Sequence, residues 1–407
     1  MAREPQPLDL AVFGRSPAFS TPLHVGRPNR IDRPRFIEAV GRILDRNVLT
    51  NDGPEVRALE DRFCRLAGTA HAVAVSNATL GIQLVAKALG LRGRVIMPSF
   101  TFIATAHALK WLGLEPVFCD IDPATHNLDP ARVENELNNG ASAVVGVHVW
   151  GRLCDPLHLE QICRSHNVPL FFDAAHALGC FGHGRHAGAF GIAEVFSLHA
   201  TKICSSFEGG VITTADEGLA KRLRSMRNFG FSGYDQVDGI GINAKLPEVS
   251  AAMGLVSLDS FDEYREANRA NIASYRLGLG RTRGLRILEP APEQDSNFQY
   301  VVAEVDPDFP ADAREVLYSA LHADGVLVRR YFFPGCHRLE PYLSGPEGRG
   351  LVLPHTDSLC RRVLCYPTGT AVGRVEIKRI CELTNLILEH LPDVRERLDR
   401  VGRVIDD

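Results

Sequence analysis

The sequence predicts an α/β protein with a large domain on a mostly parallel sheet, covered by helices on both faces, and a smaller α+β domain after it. Three observations predict this. Short apolar, β-branched runs recur up to about Leu258, with helix-like segments between most of them. The runs are almost continuously hydrophobic, as strands buried on both faces must be. From about residue 286 the pattern changes to strand-like "QYVVAEV" and "VLVRRYF" and the amphipathic "EIKRICELTNLILEHL". A chain of 407 residues also exceeds the roughly 100–200 expected of one domain.

Taken in order, residues 1–32 form an N-terminal arm, with no signal-peptide core. Residues 33–258 form the large domain, whose strands are "HAVAVS" (71–76), "RVIMPS" (94–99), "EPVFCD" (115–120), "AVVGVH" (143–148), "VPLFFD" (168–173) and "EVFSLH" (194–199). Residues 256–285 carry one long helical pattern with a polar face, a bridge into the second domain at 259–407.

Composition excludes several classes of function. The chain is 45% apolar and 23% charged with a formal net charge of −4, which lacks the basic excess of a nucleic-acid binder. No run approaches the ~20 apolar residues of a membrane span, so a cytoplasmic location is expected. The ten cysteines are scattered without a C-x-x-C, which points to free thiols and to no metal site.

Ligands of such sheets gather where strands end and helices begin. "AVSNATLG" places Ser76, Asn77, Ala78 and Thr79 at such a turn, where free amides and hydroxyls suit a phosphate, although the same residues suit a plain helix cap. Phe100 and Phe102 follow the next strand; each alone reads as core. Asp173 closes an apolar strand, where a carboxylate needs a partner, and His176 follows it; a helix-capping role for Asp173 is equally open. Lys202 follows another strand end, though a lone lysine is ordinarily a solvated surface group. Together, a phosphate cradle, an aromatic plate, a carboxylate and a lysine are the parts that hold pyridoxal 5'-phosphate.

Eight motifs in order extend this reading: "SNAT", "PSFTFIAT", "VVGVHVWGR", "FDAAHALG", "FSLHATK", "FEGGVITT", "GINAKLPEVSAAMG" and "PGCHRLEPY". Over nearly its whole length the chain resembles the DegT/DnrJ/EryC1/StrS sugar aminotransferases, which are fold type I pyridoxal-phosphate enzymes with a seven-stranded type of sheet. The resemblance implies that Lys202 forms the Schiff base and moves protons, Asp173 pairs with the pyridine nitrogen, and His176 contacts the ring hydroxyl. It further implies that Phe102 stacks on the ring, while Ala78, Thr79 and Ser197 bind the phosphate. In this family the site is completed across a homodimer, and Asn243 matches the asparagine that reaches the neighbour's phosphate.

"VGRPNRID", "FEGG" and "YFFPGCHRLEPY" are similar to the branch of the family serving antibiotic sugars. That branch implies transfer of an amine from L-glutamate, through pyridoxamine 5'-phosphate, to C4 of dTDP-4-keto-6-deoxyglucose. Arg27, Arg30, Arg329, Arg330 and His337 are candidates for the diphosphate, each with a surface ion pair as its plain alternative. Transamination at C3 of a 3-keto sugar stays open, as does a cofactor-bearing regulator without turnover. Lys202 argues against the dehydrating branch, which carries histidine at that place, and a regulator's basic DNA-binding helices are missing.

Overall fold

The computed structural model describes residues 9–289, 291–400 and 402. Seven strands make the main sheet: β1 (His71–Val75), β2 (Arg94–Pro98), β3 (Glu115–Cys119), β4 (Ala143–Val147), β5 (Leu170–Asp173), β6 (Glu194–Ser197) and β7 (Gly210–Thr214). Three more, β8 (Leu285–Ile287), β9 (Val301–Val305) and β10 (Val363–Tyr366), form a small antiparallel sheet in the order β8-β9-β10. The helices that matter for the site are α1 (Arg33–Arg46), α2 (Pro54–Ala67), α3 (Ala78–Ala88) and α4 (Ile103–Trp111).

The main sheet runs β1-β7-β6-β5-β4-β2-β3. Every pair is parallel except those of β7, which lies antiparallel to both β1 and β6. Reversing one strand between two others leaves β1 parallel to the rest, so the C-terminal ends of β1, β2, β4, β5 and β6 share one edge with the start of β7. All of the strand-end residues singled out above therefore converge there. The parallel sheet was legible because its strands are apolar on both faces: Ala72, Ala74, Ile96, Val144 and Phe172 enter one core, while Val73, Val75, Val95, Val145 and Phe171 enter the other.

The bridging segment differs from expectation. Instead of one helix over 256–285, Glu248–Asp259 and Phe261–Leu279 are separate helices that meet at Ser260, whose φ of −99° and ψ of 10° break the regular bonding. Phe261 and Tyr264 still pack in the core beneath the main sheet. "VLVRRYF" also shortens, to a two-residue strand, Val326–Leu327, paired in parallel with Leu23–His24. That pairing ties the N-terminal arm to the C-terminal region, and Leu10, Val12 and Leu23 join its core with residues of the small sheet. Asn29 continues the tie: its amide donates to the carbonyl of Ile203 and its oxygen accepts from the amide of Thr370.

Among the described residues no helix is long and apolar enough to cross a membrane, and no group of side chains could hold a metal ion. The ten cysteines are all free thiols, as expected, and only Cys64 is not fully buried.

Candidate active site

The start of α3 is set by Asn77, whose extended backbone and side-chain oxygen, 2.9 Å from the Leu80 amide, cap the helix. Its carbonyl accepts from Gly81. The amides of Ala78 and Thr79 are then the ones left pointing outward, the usual anion site of a helix N-terminus. Two glycines let this turn lie against the sheet. A Cβ at Gly81 would stand 2.7 Å from Val195 Cγ1, and one at Gly210 would stand 2.8 Å from the Ala78 amide nitrogen. Ser197 pairs with Gly210 across β6 and β7, so its hydroxyl lies beside the same turn.

These groups line a cavity of about 330 Å³ together with Phe102, Asp173, His176, and Lys202. Phe102 is 57% exposed, whereas Phe100 is fully buried against Trp150 and Phe332. Of the two aromatics, only Phe102 is free to meet a ligand. Asp173 is buried, with Oδ2 accepting from Thr105 Oγ1 at 2.8 Å and Oδ1 from the Ala175 amide at 3.0 Å. Both bonds fix the direction of the carboxylate, and the turn they close is a local one rather than a helix cap.

Lys202 stands on a turn after β6, its amide bonded to the carbonyl of His199. Burial of its ammonium lowers the pKa to about 8, against the opposing pull of Asp173. Its amine is 3.4 Å from the hydroxyl of Tyr300, whose own ionisation is pushed well above the ordinary value by burial. His176 is held well below the usual histidine range, by burial first and then by Lys202. It is therefore neutral at physiological pH, and its Nδ1 accepts from the Trp150 amide at 3.3 Å.

The cavity thus brings together Ala78, Thr79, Phe102, Asp173, His176, Ser197, Lys202 and Arg329. It does not include Arg27, Arg30, Arg330 or Asn243. Arg330 pairs with Glu315 at 2.9 Å and lies over the Tyr318 ring, lining a neighbouring cleft beside Arg329. Asn243 is exposed, and it bridges to Asn228. His337 is a correction. It is fully buried, with Nδ1 2.7 Å from Ser99 Oγ and Nε2 3.1 Å from Asp357, so both nitrogens are spent inside the protein and neither can reach a diphosphate.

Sequence reasoning missed Tyr300, Tyr331 and Phe332, which wall the cavity from the C-terminal region, and Thr105, which aims Asp173. The only signal for the first three was the density of aromatics in "FQYVV" and "RRYFF". Thr105 closes the motif "PSFTFIAT", but its role was not legible there, because it depends on a contact between α4 and the end of β5.

The family model described as the DegT/DnrJ/EryC1/StrS aminotransferase family matches residues 30–384. The chain belongs to this family. It is an aminotransferase with the fold type I architecture. A dTDP-4-amino-4,6-dideoxy-D-glucose transaminase of Shigella dysenteriae is 33% identical over 346 residues, 85% of this chain and 94% of that one. A crystal structure of DesI in the presence of its TDP-sugar product is 49% identical with a TM-score of 0.90, over 96% of this aminotransferase and 99% of that chain. The aminotransferase TlmJ from Streptoalloteichus hindustanus is 28% identical with a TM-score of 0.84, over 91% and 100% of the two chains.

The residues of the cavity fit pyridoxal phosphate by their own chemistry. An amine of lowered pKa faces a fixed carboxylate, an exposed aromatic stands beside them, and the amides at the start of α3 lie where a Cβ on Gly210 would otherwise intrude.

Proposed function

We propose that the protein is a pyridoxal-phosphate-dependent transaminase that moves an amine from L-glutamate to C4 of dTDP-4-keto-6-deoxyglucose, forming dTDP-4-amino-4,6-dideoxyglucose for a secondary-metabolite sugar. The observation that carries the reading is the Lys202 amine, buried in one cavity with Asp173 and lowered to about 8. Similarity to dTDP-4-amino-4,6-dideoxy-D-glucose transaminases and to DesI, solved with its TDP-sugar product, supports the choice of substrate.

When bound, the cofactor supplies an electron sink for negative charge at the substrate carbon. The protein does the rest. The α3 amides of Ala78 and Thr79, with Ser197, would hold the phosphate, and Phe102 would offer its face to the ring. Asp173, whose carboxylate Thr105 and the Ala175 amide keep aimed, would hold a proton on the pyridine nitrogen. Lys202, with an amine close to half neutral at pH 8, accepts a proton from the carbon of the donor and returns one at the sugar carbon. Among the described residues Arg329 is the one guanidinium lining the cavity, and it would take an anionic group of either substrate.

The working unit in this reading is a homodimer. Asn243 lies outside its own subunit's cavity, and the exposed Ile37, Leu44, Tyr234 and Ile240 offer apolar surface of the kind that a second copy would cover.

The test is incubation with L-glutamate and the 4-keto sugar nucleotide, with the aminated carbon read by NMR. Product carrying nitrogen at C4 is expected. Amination only of a 3-keto sugar, or no product from either, overturns the assignment.

A further inference from the structure

Trp150 and His126 share a backbone conformation that few side chains adopt. Their φ angles are 63° and 64°, in the left-handed region, which costs an L-residue about 1–2 kcal/mol. Such residues persist where the surroundings fix them. Here the surroundings are a chain of polar contacts that ends in the active site.

The indole Nε1 of Trp150 donates to His126 Nδ1 at 3.2 Å. An indole N–H only donates, so Nδ1 of His126 is bare and the proton of this buried ring sits on Nε2. That Nε2 lies 3.6 Å from a carboxylate oxygen of Glu304 on β9. Arg286, at 2.5 Å, and Arg362 also bind Glu304. Burial would raise the pKa of this carboxyl, but the nearby His126 ring, whose Nε2 makes no hydrogen bond at 3.6 Å, and the guanidinium groups of Arg286 and Arg362 bring it to about 2. Glu304 is therefore a charged, fully engaged anchor.

On its other side Trp150 meets His176. Its backbone amide donates to His176 Nδ1, which leaves Nε2 as the nitrogen carrying the proton. The two rings lie nearly parallel, 19° apart with centroids 6.2 Å apart, and Phe332 lies nearly parallel to both, at 13° and 14°. Packing alone would hold an aromatic stack here. It would not call for a 3.2 Å hydrogen bond from the indole to a buried histidine whose other nitrogen, without a hydrogen-bond partner, faces a buried carboxylate at 3.6 Å.

We propose that Glu304 and His126 are positioning residues: by holding Trp150 they fix the His176 ring in one tautomer, with the Nε2 proton free for a ligand in the cavity. The consequence for turnover rests on the transaminase reading above; the brace itself does not.

The chain has two tryptophans, and Trp111 is 83% exposed, so the full chain with Trp111→Phe carries Trp150 as its sole emitter. In this background His126→Leu is expected to shift the emission to the blue, because the indole loses its acceptor. It should also move the 15N shifts of the His176 ring, assigned by their loss in His176→Asn, toward a mixture of tautomers. His126→Asn keeps an acceptor and suits the left-handed backbone, and it should restore both signals. If His126→Leu does not fold, Glu304→Gln, similar in shape and without the charge, should shift both signals in the same direction. Unchanged emission and unchanged His176 shifts in a folded variant, or a failure of His126→Asn to restore them, would overturn the brace. The rate of the half-reaction with glutamate should fall about ten- to a hundredfold in His126→Leu, the scale of a misplaced catalytic group. A wild-type protein inert with glutamate would instead count against the transaminase reading, with the brace still judged by the two spectroscopic signals.

Discussion

Lys202 has its amine in a site that disfavours charge, and the sign of that effect can be measured. Its pKa is about 8 in the fold and 10.5 in an unfolded chain, so between those values the unfolded state binds more protons at this position. Stability of the cofactor-free protein should therefore gain from this residue as pH rises from 8 to 10.5. Lys202→Met should remove that slope in denaturant unfolding at a series of pH values, and an unaltered slope would refute the lowered pKa. The same variant should lose covalent capture of the cofactor, seen as loss of borohydride-fixed label, and turnover should fall by about a hundredfold or more, as for a lost general base. Asp173→Asn makes a separate point. The amide keeps an acceptor for Thr105 or Ala175, so the protein should fold and retain cofactor while losing most of its turnover; full activity would end its assignment to the pyridine nitrogen.

At the scale of elements, the decisive contact is that of β7 with the turn into α3. Gly210→Ala forces a methyl to 2.8 Å from the Ala78 amide nitrogen, a backbone atom that cannot swing aside. We expect cofactor affinity to drop at least tenfold, by titration of the cofactor-free protein, while the far-UV spectrum stays that of the wild type. Asn77→Ala should cost about 1 kcal/mol of stability through loss of the cap, read from the shift of a denaturation midpoint. The sequence made this region partly legible. The strand before the turn, the cap and the glycine pair beyond Lys202 were all visible as residue types. The strand at 210–214 was not picked out, because "GVITT" is short and its role is set by neighbours far away in the chain. For the same reason the polar bonds that aim Asp173 and bury His337 escaped a reading by local pattern. Buried histidine and ligand-binding histidine look alike until Ser99 and Asp357 are seen on either side of the ring.

For the whole molecule, the question is what covers the exposed apolar residues and what Asn243 serves. Tyr234 is 99% exposed and Ile240 81% exposed, on the same loop that carries Asn243. If two subunits share each site, sedimentation should give a dimer, Ile240→Asp should shift it toward monomer, and Asn243→Ala should weaken cofactor binding although Asn243 lies outside its own cavity. A monomer with full activity would refute the shared site. The N-terminal arm belongs to this scale too, since it reaches from the core near β9 to the loop just after Lys202.

The reversed strand also bears on how the chain matures. Among the described residues β1 is an edge strand whose one partner in the main sheet is β7, and Val75 waits for Gly210 before it joins the sheet. Pairing at such a sequence distance is slow to form, and an unpaired strand edge is exposed to misassociation meanwhile. During synthesis the anion-binding turn cannot settle against the sheet until the ribosome has passed β7. On the proposed function, the turn that would hold the cofactor phosphate is thus completed late, after most of the large sheet has been made.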